Sequence, residues 1–175
     1  RIEFGEGYLS HAGAEAKKLG ITKAMVIADK GIIACGIVAP IEASLKAEGV
    51  DYVIYDQIVP NPRDIHCIAG AEFAREHGID GMIAIGGGSS MDTAKAVGTL
   101  LANGGNIRTW APPAVLEHPI VPLIAVPTTA GTGSEVTLVA VVADTKKHAK
   151  LSFTSYKLVP HAAILDPALT SSLPP

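Results

Sequence analysis

The feature that most narrows the possible folds is a strand that runs straight into glycine. Gly81-Met82-Ile83-Ala84-Ile85 is almost wholly apolar, Gly86-Gly87-Gly88-Ser89 follows at once, and a helical pattern extends from about Ser90 to Leu101. A short unbroken run of this kind suits a strand covered on both faces, as in a parallel sheet. Further runs at 23–28, Asp51–Tyr55, Leu123–Val126 and 162–165 read the same way. Helices are predicted between them. One covers 11–19, with Ser10 as its cap and Gly20 as its stop, and another covers 37–48, ending at Gly49. A third starts at Asn61-Pro62, the Asn as cap and the Pro in the first helical position, and closes at Gly78. This alternation predicts an α/β fold, a parallel sheet flanked by helices. Residues 136–143 and 150–154, around the charged turn Asp144–Lys147, predict a β-hairpin near the C-terminal part. No internal repeat is present.

Composition removes several function classes. With 48% hydrophobic and 18% charged residues over 175 positions, the chain is too apolar for disorder, and 1–175 is expected to form a single domain. A net charge of −3 gives no electrostatic case for nucleic acid or an anionic membrane surface. No apolar run approaches the ~18 residues of a membrane span, and the start carries no signal-type segment. Cys35 and Cys67 lie outside metal-type spacing and suit free thiols in a reducing cytosol, so a cytoplasmic protein is expected. The six His, at 11, 66, 77, 118, 148 and 161, form no His-x-x-x-His or His-Glu-x-x-His pair and are expected to be surface or satisfied side chains. No Gly-x-Ser-x-Gly nucleophile elbow occurs.

Ligands of open α/β sheets bind beyond the carboxyl ends of the strands, and three features fall there. The glycine turn lets backbone approach an anion, and the helix behind it supplies free N–H groups and a positive dipole end. Ser89 and Asp92 have capping-box spacing, which would order that terminus. The turn is neither a P-loop nor a G-x-G-x-x-G after the first strand; without a ligand it is simply a tight connection. Asp29, after strand 23–28, either accepts hydrogen bonds from a ribose, favouring NAD over NADP, or caps a helix at 31–35. Thr128, Thr129, Thr132 and Ser134 either hydrogen-bond a diphosphate or ribose or satisfy their own loop. Lys150 is either an exposed charge or a contact to a cofactor hydroxyl.

Two long strings go beyond these local readings. Gly86-Gly87-Gly88-Ser89-Ser90-Met91-Asp92-Thr93-Ala94-Lys95 resembles the cofactor signature of the iron-containing (group III) alcohol dehydrogenases. Pro127-Thr128-Thr129-Ala130-Gly131-Thr132-Gly133-Ser134-Glu135 resembles their second signature. Phe4-Gly5-x-Gly7, Asp29-Lys30, Asn61-Pro62 and Asp166-Pro167 before Leu173-Pro174-Pro175 match in order and spacing, so the resemblance covers the entire chain. It lies nearest the lactaldehyde reductase and propanediol dehydrogenase types.

The resemblance implies a Rossmann-like N-terminal dinucleotide-binding domain, with the family's all-helical metal domain missing from this chain. It implies NAD as cofactor and Fe2+ (or Zn2+) in the full-length family, held by one Asp and three His absent here. By position, Asp29 would bind the adenosine ribose, and Gly87, Gly88 and Ser89 the pyrophosphate. Asn61, Asp92, Thr128, Thr129, Thr132 and Leu169 would contact cofactor elsewhere, with Lys150 near the nicotinamide ribose. The implied activity is hydride transfer between NAD(H) and a small alcohol or aldehyde, with little or no turnover by this chain alone. A homo-oligomer is expected, because an uncovered apolar face favours self-association. Two alternatives remain open. One is the first domain of a dehydroquinate synthase-like or glycerol-1-phosphate dehydrogenase-like enzyme; the other is a free-standing nucleotide-binding module.

Overall fold

The computed structural model describes residues 1–171, so the Leu173-Pro174-Pro175 segment lies outside the described residues. Six strands form one parallel sheet: β1 (Ile2–Phe4), β2 (Lys23–Ile27), β3 (Asp51–Tyr55), β4 (Gly81–Gly86), β5 (Leu123–Pro127) and β8 (Ala162–Leu165). Between β5 and β8, β6 (Val139–Asp144) and β7 (Ala149–Thr154) pair as an antiparallel hairpin. The helices are α1 (Ala12–Lys18), α2 (Lys30–Ala34), α3 (Ala39–Ala47), α4 (Asp64–Glu76) and α5 (Gly88–Asn103). The expected α/β, Rossmann-like architecture with a hairpin is therefore present.

The sheet order is β1-β8-β5-β4-β2-β3. After β2 the chain steps outward to β3, then returns to place β4 on the other side of β2. That reversal opens a crevice at the carboxyl ends of β2 and β4, the place where doubly wound sheets hold ligands.

Burial explains why the strands are unbroken apolar runs. In β2, Met25 and Ile27 join one core with β4 residues Met82 and Ala84 and with α4 and α5. Ala24 and Val26 face the opposite core, shared with Ile83, Ile85, α1 and α3. Side chains alternate across a strand, so covering both faces demands apolar residues at every position. Glycine lets the helices approach closely. A Cβ on Gly98 of α5 would stand 2.9 Å from Ile120 Cβ and 3.0 Å from Met82 Cε. Among the described residues no helix is long and apolar enough to cross a membrane.

Several local expectations are corrected. Ser10 does not cap the first helix, because Tyr8–His11 forms a 3₁₀ turn with Ser10 bonded back to the Gly7 carbonyl. The amide that needs a cap, Gly13 N, instead donates to Ser44 Oγ of α3 at 2.9 Å. Asn61-Pro62 does not begin a helix either. Ala143 N donates to the Pro62 carbonyl at 2.7 Å and Arg63 bridges to Ala143, so this backbone is committed to the hairpin and α4 starts at Asp64. The first hairpin strand begins at Val139 and not at 136, and β1 was not foreseen.

Candidate cofactor-binding site

The glycine turn is conformationally demanding. Gly86 ends β4 at φ 140°, and a Cβ there would lie 2.4 Å from Ser90 Oγ. A side chain is excluded on both counts. Gly87 is the N-cap of α5 in extended conformation, with no side-chain cap, and Gly88 is the first helical residue. With Ser90 N already bonded to the Gly87 carbonyl, the Gly88 and Ser89 amides are left to an incoming acceptor, at the positive end of a 16-residue helix.

The second signature lies against this turn. Thr128 N donates to the Gly86 carbonyl at 2.9 Å, which ties the end of β5 to the glycines. A Cβ on Gly87 would sit 3.2 Å from Thr129 Oγ1, and one on Gly88 within 3.4 Å of Ser134 Oγ and 3.5 Å of Thr132 Cγ2. Thr129 Oγ1 is buried and has no hydrogen-bond partner among the described residues. A buried unpaired hydroxyl is costly in an isolated protein, and an acceptor or donor from outside the chain would relieve that cost.

The Ser89–Asp92 capping box does not form. Asp92 turns away from the helix end, and its Oδ2 accepts from Val141 N of β6 at 3.1 Å, while Oδ1 is buried without a partner. Burial raises the Asp92 carboxyl above the usual carboxylate range, against the pull of the Val141 amide and the Lys95 ammonium. The hairpin has taken the acid that the local pattern assigned to the cap.

Two recesses meet at this helix end. The larger, about 760 Å³, is lined on one side by Gly87, Ser89, Thr128 and Thr129, and on the other by Asp29, α2 residues and the segment Asp56–Pro60. The smaller, about 190 Å³, is lined by Asn61, Ser89, Asp92, Val141 and Lys150. Ser89 belongs to both. Asp29 also performs the alternative role weighed for it, since its Oδ1 accepts from Ile32 N at 2.9 Å and caps α2. Lys150 is exposed on β7 and lines the smaller recess. Asn61 takes a left-handed φ of 54° beside it. Leu169 stands apart, half-buried in the 3₁₀ turn Pro167–Thr170 and packed on the core beneath β8.

Sequence reasoning missed part of the larger wall. Asp56–Pro60 follows β3 at the same sheet edge, and the carboxyl-end rule applied to that strand would have found it. His66 is neither surface nor satisfied: it lines this cleft with Nδ1 buried and unpartnered among the described residues. Among the described residues no group of three or more His, Cys, Asp or Glu could hold a metal ion. Cys67 is inert in the core, burial pushing its thiol up to about 12.

Set beside known proteins, this fold and site fall in one class. The sequence profile described as "Iron-containing alcohol dehydrogenase" matches residues 1–167, and the chain belongs to that family. It is 38% identical to the choline dehydrogenase of Bacillus subtilis over 99% of this chain and 44% of that protein. It is 35% identical to the NAD-dependent methanol dehydrogenase of Bacillus methanolicus over 97% of this chain and 45% of that protein. The crystal structure of a 1,3-propanediol oxidoreductase superposes with a TM-score of 0.95 at 33% identity, over 99% of this chain and 45% of that one. The chain therefore spans less than half the length of the relatives it matches.

Proposed function

We propose that this chain is the NAD(H)-binding part of an alcohol dehydrogenase or aldehyde reductase acting on a small alcohol or aldehyde. One observation carries the reading: two recesses joined at Ser89 beneath the bare α5 N-terminus, with the unpaired Thr129 hydroxyl beside it. That shape suits a molecule of two nucleoside halves linked by a diphosphate. When bound, NAD supplies the nicotinamide ring that takes up or releases hydride.

The chain's own residues then bind and orient. The amides of Gly88 and Ser89, with Thr129 Oγ1, hold the diphosphate. Asp29 accepts from the adenosine ribose and repels a 2′-phosphate, while Asn61 and Lys150 receive the other half near Asp92. Residues 1–171 offer no metal ligand set, so no step at a metal is assigned to them. We assign the isolated chain cofactor binding with little or no turnover. We also assign it to the cytoplasm, in keeping with the free thiols of Cys35 and Cys67, and to self-association through the face a further domain would cover.

Fluorescence titration with NADH and NADPH tests the reading. The wild type is expected to prefer NADH by about tenfold, one charge repulsion at close range, and Asp29→Gly to lose most of that preference. No NADH binding by the wild type would overturn it.

A further inference from the structure

Lys95 is the largest fully buried side chain among the described residues, at 0% exposure, although lysine is almost never buried without a partner. Its Nζ donates to the carbonyls of Thr137 and Val139, each at 2.8 Å, and approaches Thr137 Oγ1 at 3.4 Å. Those carbonyls open the hairpin, immediately after the loop that covers the glycine turn. Two carboxylates attract the ammonium from beyond ion-pair distance: Asp92, one turn earlier on α5, and Glu135, at the end of the covering loop. Each has an oxygen that is buried and without a hydrogen bond among the described residues, Asp92 Oδ1 and Glu135 Oε2.

This arrangement is electrostatically awkward for an anion site. Lys95 lies seven residues along α5 from Gly88, about 10 Å at 1.5 Å per residue. Asp92 is nearer still to the helix end, and two uncompensated, half-buried acids behind it would offset the helix dipole and repel a diphosphate. We propose that Lys95 is the positioning and counter-charge residue of the diphosphate site. Its ammonium neutralises Asp92 and Glu135 behind the α5 N-terminus and pins the strand that seats the 128–135 loop. The proposal rests on the dinucleotide reading given above and assigns it a residue that touches neither the cleft nor the ligand.

The charge is titratable within an accessible range. Burial pulls the Lys95 ammonium down to about 8, against the opposing pull of Asp92 and Glu135. Cys67 of α4, which acts on Asp92, is a neutral thiol throughout that range, pushed up to about 12. Below about pH 8 Lys95 is charged and the anion site is compensated; above it that compensation is lost, leaving Lys150 of β7 across the smaller recess from Asp92.

NADH is the probe, titrated against the chain between pH 6.5 and 9.5. Wild-type affinity is expected to fall about tenfold across that range with a midpoint near 8, matching the titration of the Lys95 ¹³Cε resonance in lysine-labelled protein. Lys95→Met should bind about tenfold more weakly than wild type at pH 7 and show no dependence on pH. A merely structural lysine would not produce the matched pH profile. The proposal is overturned by a flat wild-type profile, by a Lys95→Met variant that binds as tightly as wild type at pH 7, or by one that keeps the wild-type slope. Should Lys95→Met fail to fold, the wild-type profile and the resonance decide alone. A wild type that binds no NADH at any pH overturns the dinucleotide reading itself, and this proposal with it.

Discussion

On one side of the cleft, α5 buries ten residues between Ser90 and Leu100 and is tied by Asp92 and Lys95 to the hairpin. On the other, α2 has five residues and buries none of them, held by the Asp29 cap and its own backbone. The hairpin is further fixed from behind. Arg108 reaches both Asp64, at the start of α4, and Asp144, at the end of β6, and both carboxylates are almost fully buried. Burial by itself would raise the Asp144 carboxyl. The Arg108 guanidinium and the amides of Lys146 and Lys147 outweigh that and hold it below the ordinary value. The difference teaches a division of labour. The wall built on the α5 N-terminus is tied down before any ligand arrives, and the wall beside Asp29 can open locally at low cost.

The largest effect should come from the hairpin anchor. Asp64→Ala leaves Arg108 facing a single acid and removes a wholly buried partner, and is expected to cost about 3–5 kcal/mol of stability in urea denaturation. A loss under about 1 kcal/mol would break the contrast between the walls. Next is the packing of α5 on the sheet. Gly98→Val forces a side chain into Ile120 and Met82 and should cost about 1–3 kcal/mol, with NADH binding weakened as the helix end shifts. Unchanged melting would show that α5 has slack. The smallest effect sharpens the comparison most. Thr129→Val keeps shape and removes the unpaired hydroxyl, so stability should hold or rise by up to about 1 kcal/mol, while NADH affinity falls about fivefold. Equal affinity in the two proteins would remove Thr129 from the site.

Much of this was legible in the sequence because it is local. The runs at 23–28, 81–85 and 123–126 are unbroken since both faces of those strands are covered, and Gly86-Gly87-Gly88 has no other use as economical as a close turn into a helix. What failed was every inference in which a distant group competed with a near one. Ser44 displaced Ser10 as a cap, Val141 drew Asp92 out of its capping box, and Ala143 claimed the Pro62 carbonyl from the expected helix start. The Arg108 ion pairs and the carbonyl cage of Lys95 join residues some forty positions apart, and no periodicity records such distances. β1 escaped for another reason. It has three residues, with Ile2 and Phe4 both exposed, so no apolar run betrays it.

That short strand has a consequence in time. Residues 2–4 find their partners in the sheet at residues 163–165, with Arg1 also bonded to Ala163 and His161. Strands β2 to β5 can assemble in the order they are made, but β1 has no neighbour until β8 arrives. During synthesis, residues 2–4 are therefore the last part of this sheet to be paired, although they are made before the other five strands. Until then, Ile2 and Phe4 wait on an unfinished edge.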